Sequence, residues 1–320
     1  MKGFNIIKLL KEYSTKSDIL FAFRLLHNFR WESILNRMKN SGFLFIDKEE
    51  GVSSRRVDNL LRKKRGEKHV GHLGTLDPFA SGLLIVAIGE ATKRLPYLSD
   101  DRKTYVATLV LGKETDTLDL TGKVIKEKEV PALTKEKILK AMENRTKTYE
   151  QEIPSFSATH YNGKRRYDLA REGFEIPVLK KTVSIYQRNL LQFDSSSIVF
   201  SAEVSKGTYI RSLGKDLALE LDTLGYLSKL RRTHIGKFSV EDALPLDKIS
   251  NGNILPMDKV LEDIDSYEVT NANDIKRARH GNELNLPLAS PLLFIKDNQT
   301  ILALYKKEGN RYVCVKGFNQ

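Results

Sequence analysis

The segment Gly71-His72-Leu73-Gly74-Thr75-Leu76-Asp77-Pro78-Phe79-Ala80-Ser81-Gly82 gathers the densest unusual chemistry in the chain. Its glycines and proline demand special backbone geometry. Pro78 biases Asp77 towards an extended conformation and removes one backbone donor. A carboxylate on so stiff a loop, just ahead of an apolar run, is a candidate for catalysis. The plainer reading is an aspartate that closes an Asx-turn. What the chain lacks favours the first. It has no phosphate-cradling glycine loop with Lys-Ser/Thr, no dinucleotide fingerprint and no His-Glu-x-x-His pair. Its six histidines are dispersed, and Gly71 and Gly74 argue against a helix that would align His69 with His72 on a metal. No serine stands in a nucleophile elbow. The remaining enzyme chemistry is that of a carboxylate working without metal or other cofactor.

Charge points to the substrate class. Lys and Arg number 53 against 41 Asp and Glu, a formal net charge of +12 in 320 residues. Such a balance suits a polyanion. The basic residues group at Arg55–Lys68, at Lys164–Arg171 and at Lys229–Lys237. Tyr97, Tyr105, Tyr161, Tyr167 and Tyr209 lie between the groups, as suits stacking on extruded bases. Cys314 is the single cysteine, which excludes an internal disulfide and a multi-cysteine zinc site and fits a reducing, cytoplasmic setting. No apolar run reaches the roughly 20 residues that span a bilayer, so no membrane is expected as partner.

The elements that must position Asp77 follow from periodicity. Phe43–Ile46 reads as a short buried strand. Ser53 or Ser54 caps a helix running to about Lys64, with Val57, Leu60 and Leu61 on one face and Gly66 ending it. Gly71–Gly82 reads as loop, Leu83–Ile88 as a buried strand and Glu90–Leu98 as a short helix. Tyr105–Leu111 reads as a strand, and Gly122–Val124 as a turn leading into another. Leu133–Met142 is helical, with Leu133, Ile138 and Met142 facing inward. Ile185–Phe193 and Ile198–Val204 are strands, and Ile210–Leu221 is a helix. The mixture predicts an α+β fold. After residue 250 a polar break leads to a helix near Asp274–Ala278 and to three strand-like runs, Leu292–Ile295, Ile301–Tyr305 and Tyr312–Val315. The expected domains are therefore an extension over residues 1–40, a catalytic domain over 41–250 and a small β-rich domain over 251–320. Residues 1–40 read as an amphipathic extension that packs on the main domain, as an untranslated stretch before a start at Met38, or as a targeting or partner helix.

Taken together, these segments resemble the TruB family of tRNA pseudouridine synthases, which act on uridine 55 in the T loop. The resemblance rests on Ile46-Asp47-Lys48 with Gly51-Val52-Ser53-Ser54, and on the block from Gly71 to Pro78 with Gly82-Leu83-Leu84 and Gly89-Glu90-Ala91-Thr92-Lys93. It continues through Lys103-Thr104-Tyr105, Gly112 to Asp119, Pro154 to Ala158 and Gly163 to Arg171. It ends with Ser205-Lys206-Gly207-Thr208-Tyr209-Ile210-Arg211 and Leu230-Arg231-Arg232-Thr233. It covers Gly42–Phe238 in order. Glu49 and His160 depart from the family, which usually has proline and lysine there, and residues 1–40 have no counterpart in its core.

The resemblance implies a mixed antiparallel sheet of the pseudouridine synthase type and a PUA-like C-terminal domain. It implies Asp77 as nucleophile, Arg211 as its salt-bridge partner and Tyr105 as the residue that stacks on the base or carries a proton. His72, Lys48, Tyr209 and Asp119 are implied on the substrate side: His72 towards the disrupted loop, Lys48 near phosphate or the catalytic loop, Asp119 at the rim. The implied partner is the T arm of tRNA, bound by a monomer with no obligatory protein partner. Attack at C1′, glycal formation and addition at C6 all remain open. The rival readings are an RNA-binding or tRNA-folding protein without turnover, a glycosidase using Asp77 with Asp119, and a guide-RNA-dependent relative. The +12 charge disfavours the glycosidase, and the short C-terminal portion disfavours the guide-dependent enzyme.

Overall fold

The computed structural model describes residues 41–98, 102–143, 147–157, 159–161, 163–174, 177–298 and 300–318. The readings of residues 1–40 and of a start at Met38 lie outside the described residues, as does the His160 side chain. The chain divides into two units, one of residues 43–87 with 94–253 and one that includes 88–93 and 254 onward.

In chain order the larger unit holds β1 (Gly42–Lys48), α1 (Ser54–Arg65), β2 (Val70–Leu73), β3 (Ser81–Ile88) and β4 (Arg102–Leu111). A hairpin follows, β5 (Lys113–Thr115) with β6 (Val124–Glu127), then α2 (Lys135–Glu143) and β7 (Lys147–Glu152). Next come a short pair, β8 (His160–Tyr161) with β9 (Lys164–Arg165), then α3 (Arg166–Arg171), β10 (Lys180–Phe193) and β11 (Ser197–Ser205). Last are α4 (Ile210–Glu220), β12 (Gly225–Ile235), β13 (Phe238–Ser239) and β14 (Leu244–Pro245). The main sheet has the order β14-β1-β3-β12-β4-β11-β10-β7, with β2 against β3 and β13 against β12. From β12 outward through β4, β11, β10 and β7 every pairing is antiparallel, whereas β12 meets β3 in parallel. The fold is α+β with a mixed sheet.

The helix α4 packs on β12 and β4. Leu213 and Leu217 press against a core that includes Leu109, Phe200 and Leu227. In β3 every residue from Gly82 to Ile88 is buried, as a continuous apolar run requires. The hydroxyl of Ser53 accepts from Arg56 N at the start of α1, and Gly66 closes the helix in the left-handed region at φ 64°.

Several expectations need correction. Leu60 is exposed, while Val57 and Leu61 turn inward. Gly71–Leu73 belong to β2 and not to a loop, because their main chain pairs with β3. Residues 89–97 form a 3-10 helix, with Pro96 inside it and unable to donate. Leu133 precedes α2 and only partly buries itself on the core. The strand β12 was legible only as a group of basic residues, yet it lies inside the sheet with Arg232 fully buried.

The smaller unit contains α5 (Met257–Val260), β15 (Asp265–Glu268), α6 (Ala272–Arg279), β16 (Leu292–Asp297), β17 (Thr300–Glu308) and β18 (Arg311–Gly317). Its four-stranded sheet runs β15-β16-β17-β18, and α6 packs on β17 and β18. Leu293, Ile295, Ala303, Tyr305 and Tyr312 fill its core. No described helix is long and apolar enough to cross a membrane.

Candidate active site

The loop between β2 and β3 carries Asp77, and its main chain is tied down around that residue. Ser54, in the first turn of α1, donates to Leu76 O at 3.1 Å and accepts from Leu76 N at 2.9 Å. Ala80 N donates to Asp77 O at 3.1 Å, and Gly51 N donates to Pro78 O at 2.7 Å. Lys48 reaches under the same turn. Its ammonium donates to Val52 O at 2.7 Å and Glu49 O at 2.8 Å, and stands 3.5 Å from Pro78 O. Burial, and then the Arg232 guanidinium, push the Lys48 ammonium down to about 8, against the opposing pull of Asp77 and Glu50. Lys48 therefore supports the Asp77 loop from behind.

Arg211 is the second residue of α4 and is almost wholly buried. Its Nη1 donates to Thr117 O at 2.8 Å and its Nη2 to Phe156 O at 3.0 Å. Its Nε lies 2.9 Å from Asp77 Oδ2. That proton is not aimed along the contact, so the pair is ionic rather than a straight hydrogen bond. The exposures are unequal: 4% for the Arg211 side chain and 34% for Asp77. The cation is thus fixed in the wall and the carboxylate faces outward. Asp119 Oδ2 stands 3.7 Å from Arg211 Nη1. Its Oδ1 accepts from Thr117 Oγ1, Thr121 N and Thr121 Oγ1. A buried guanidinium needs such compensation.

Asp77, Tyr105, Tyr209 and Arg211 line one cavity of about 480 Å³. This lies in the size range of small-ligand sites. Tyr105 comes from β4, and Tyr209 stands at the N-cap of α4 with its hydroxyl 2.9 Å from Thr159 Oγ1. Three expected residues do not line it. Asp119 lies behind Arg211 and Lys48 behind Pro78. His72 sits on β2 with Nδ1 2.8 Å from Asp58 Oδ2 and Nε2 3.2 Å from Thr75 Oγ1. His72 does not itself line the cavity, but its partner Thr75 does.

Sequence reasoning missed two supports. Gln151 is 1% exposed, and its amide grips the main chain of Tyr209 from both sides. Oε1 accepts from Tyr209 N at 2.8 Å, and Nε2 donates to Tyr209 O at 3.1 Å. Nε2 also donates to Tyr149 OH, which donates to Asp216. The available signal was one amide in a polar and mostly exposed strand, which is weak. Arg232 donates through Nε to Leu83 O and through Nη2 to Gly74 O, and it lines the cavity. Its place inside a basic group hid it. Among the described residues no cluster of three or more His, Cys, Asp or Glu is arranged to hold a metal ion.

Comparison with known proteins gives a consistent result. Residues 62–210 match the family model described as TruB family pseudouridylate synthase, N-terminal domain. The tRNA pseudouridine synthase B of Mesoplasma florum is 31% identical over 88% of this chain and 99% of its own length. The Rickettsia bellii protein of the same name is 39% identical over 88% and 99%. Among solved structures, a chain of an H/ACA RNP bound to a substrate RNA containing 2′-deoxyuridine superposes with a TM-score of 0.65. It is 22% identical and covers 90% of this chain and 87% of that one. A chain of a Cbf5-Nop10-Gar1 complex matches with the same TM-score at 23% identity, covering 89% and 87%. At such identity these structures establish the fold alone.

Proposed function

The chain belongs to the TruB family of pseudouridine synthases, and we propose that it isomerises uridine 55 in the T loop of tRNA with Asp77 as nucleophile. One observation carries the reading. The Asp77 carboxylate opens onto a cavity of about 480 Å³ while its counter-charge, Arg211, is locked behind it by two main-chain carbonyls.

The reaction breaks the N1–C1′ bond of uridine, turns the uracil and joins C5 to C1′; a proton leaves C5 and N1 gains one. Redox state and composition are unchanged, so the step needs no cofactor. The base is first flipped from its loop at a cost of a few kcal/mol. Tyr105 stacks on it and Tyr209 bounds the space in which it turns. Asp77 attacks C1′, assists a glycal or adds to C6, and each route uses the same carboxylate held by the same arginine. Asp119 holds Arg211, Lys48 holds the Asp77 turn, and His72 meets the disrupted loop at the Thr75 edge. The proposal further makes the enzyme a cytoplasmic monomer with no obligatory protein partner. In it, residues 41–250 are catalytic and 251–320 form a PUA-like RNA-binding domain.

The test is tritium release from a T-arm stem-loop carrying 5-³H-uridine at the target position. Wild type releases tritium; Asp77→Asn does not, and still binds the RNA. Near-normal release by Asp77→Asn would remove Asp77 as nucleophile. No release by either protein, with tight salt-sensitive binding, would make the chain an RNA-binding or tRNA-folding protein on this scaffold.

A further inference from the structure

Asp58 is the one acid of α1 and is turned into the fold, its side chain 7% exposed. Its Oδ2 lies 2.8 Å from Nδ1 of His72 on β2. Its Oδ1 is buried and meets no donor among the described residues. A carboxylate buried on a single hydrogen bond costs more stability than it returns. Stability therefore does not account for Asp58, and its one side-chain contact, His72, is where a role must lie.

That contact decides what the imidazole can do. An ionised carboxylate only accepts, so Nδ1 carries a proton and, in the neutral ring, Nε2 is the acceptor. Nε2 lies 3.2 Å from Thr75 Oγ1. Both ring nitrogens are thus spent inside the protein. Thr75 is exposed, lines the cavity and stands two residues before Asp77. Its main chain is held on either side: Gly74 O accepts from Arg232, and the Ser54 hydroxyl bonds both N and O of Leu76. The hydroxyl rotor is the freedom that remains, and Nε2 fixes it by accepting its proton in a hydrogen bond. The threonine oxygen is then left with lone pairs to offer the cavity. On a uridine nucleotide within a chain, the donors that could meet them are the N3–H of the base and the 2′-hydroxyl of the ribose.

We propose that Asp58 is a positioning residue: through the tautomer of His72 it fixes the Thr75 hydroxyl as the acceptor for a donor of the flipped nucleotide. The proposal rests on the reading of the site as an RNA pseudouridine synthase. It assigns a polar contact separate from the Asp77–Arg211 pair.

Nitrogen-15 NMR of the histidine side chains in the full chain reads the tautomer directly, with His72 assigned by its loss in His72→Gln. Wild type shows Nδ1 protonated and Nε2 bare. Asp58→Asn shows the reverse, because an amide in place of the carboxylate donates to Nδ1. Affinity is then measured by fluorescence anisotropy on three stem-loops, with uridine, 3-methyluridine or 2′-deoxyuridine at the target position. Thr75→Val and Asp58→Asn each weaken binding of the uridine stem-loop about tenfold, the worth of one hydrogen bond. On the analogue that lacks the recognised donor, the loss shrinks to about twofold or less, because the contact is already gone. That analogue is 3-methyluridine if N3–H is the donor and 2′-deoxyuridine if the ribose is. Glu67→Gln, which alters an acid bonded to His69 instead, changes neither readout. A protonated Nε2 in wild type, an unaltered tautomer in Asp58→Asn, or undiminished losses on both analogues would overturn the proposal. Tritium release from the uridine stem-loop by wild type, run in parallel, decides the isomerase reading separately.

Discussion

Two Asp–Arg pairs in the larger unit use the same groups for different ends. Asp47 and Arg231 meet fork to fork, Nη1 to Oδ1 at 3.0 Å and Nη2 to Oδ2 at 2.8 Å, with both side chains partly exposed. Both Nη atoms and both carboxylate oxygens of that pair face each other, so the pair is a tie between β1 and β12. Asp77 and Arg211 touch through one atom each. The Arg211 fork is spent on Thr117 O and Phe156 O, and the other Asp77 oxygen takes no hydrogen bond from any described residue. The satisfied carboxylate is structural. The carboxylate with a fixed cation behind it and open space before it is the one that can react.

Exchanging arginine for lysine in each pair breaks or confirms this contrast most directly. Lysine keeps the charge but cannot hold two carbonyls while facing Asp77. Arg211→Lys should lower kcat at least about 100-fold, since a displacement near 1 Å can cost that much. Arg231→Lys should leave kcat within about twofold and cost roughly 1 kcal/mol or less in urea unfolding. Comparable kcat losses in both variants would mean that burial and commitment of the fork do not separate the pairs.

That contrast was only half legible in the sequence. Asp77 stood out because a carboxylate beside proline in a glycine-rich loop is unusual, whereas Arg211 was reached only through the family resemblance that its Gly-Thr-Tyr-Ile-Arg setting carries. The carbonyls that hold Arg211 belong to Thr117 and Phe156, and a main-chain acceptor leaves no trace in residue type. The same holds for Gln151, whose two acting bonds both go to the Tyr209 backbone. At the level of fold, β3 was readable because seven buried residues form one run, and α1 because its caps are explicit. β12 was not, because Lys229, Arg231 and Arg232 mask its alternation. Arg232 is buried only because Leu83 O and Gly74 O accept from it. β7 was missed because only Gln151 of its residues is buried.

Gln151 sharpens the contrast at the next level of effect. Its amide sets Tyr209 and the start of α4, two residues before Arg211, and among the described residues no side-chain amide grips the main chain beside the Asp47 pair. Gln151→Leu keeps the volume and removes both bonds to Tyr209. It should lower kcat about tenfold with KM nearly unchanged. It should also cost roughly 1–3 kcal/mol for the unmet main-chain groups. A purely structural role predicts the stability loss without the kcat loss at temperatures where the variant is fully folded.

The smallest effect is electrostatic and is read through Lys48. Its folded pKa of about 8 lies below its ordinary value of 10.5. Below pH 8 both folded and unfolded chains carry the proton, and the cost of burying the charge is fully present. Between about pH 8 and 10.5 the folded chain has released a proton that the unfolded chain still holds, so stability rises with pH across that window. Relative to Lys48→Met, wild type should gain on the order of 1 kcal/mol between pH 7.5 and 10 in urea unfolding. A flat difference would mean that Lys48 keeps an ordinary ammonium. The Asp77 carboxylate opposes the shift, so Asp77→Asn should move the onset of the rise to lower pH. Asp47→Asn, which removes a carboxylate already spent on Arg231, should leave the onset in place. An equal displacement by both variants would mean that Lys48 senses net charge and not the loop it supports.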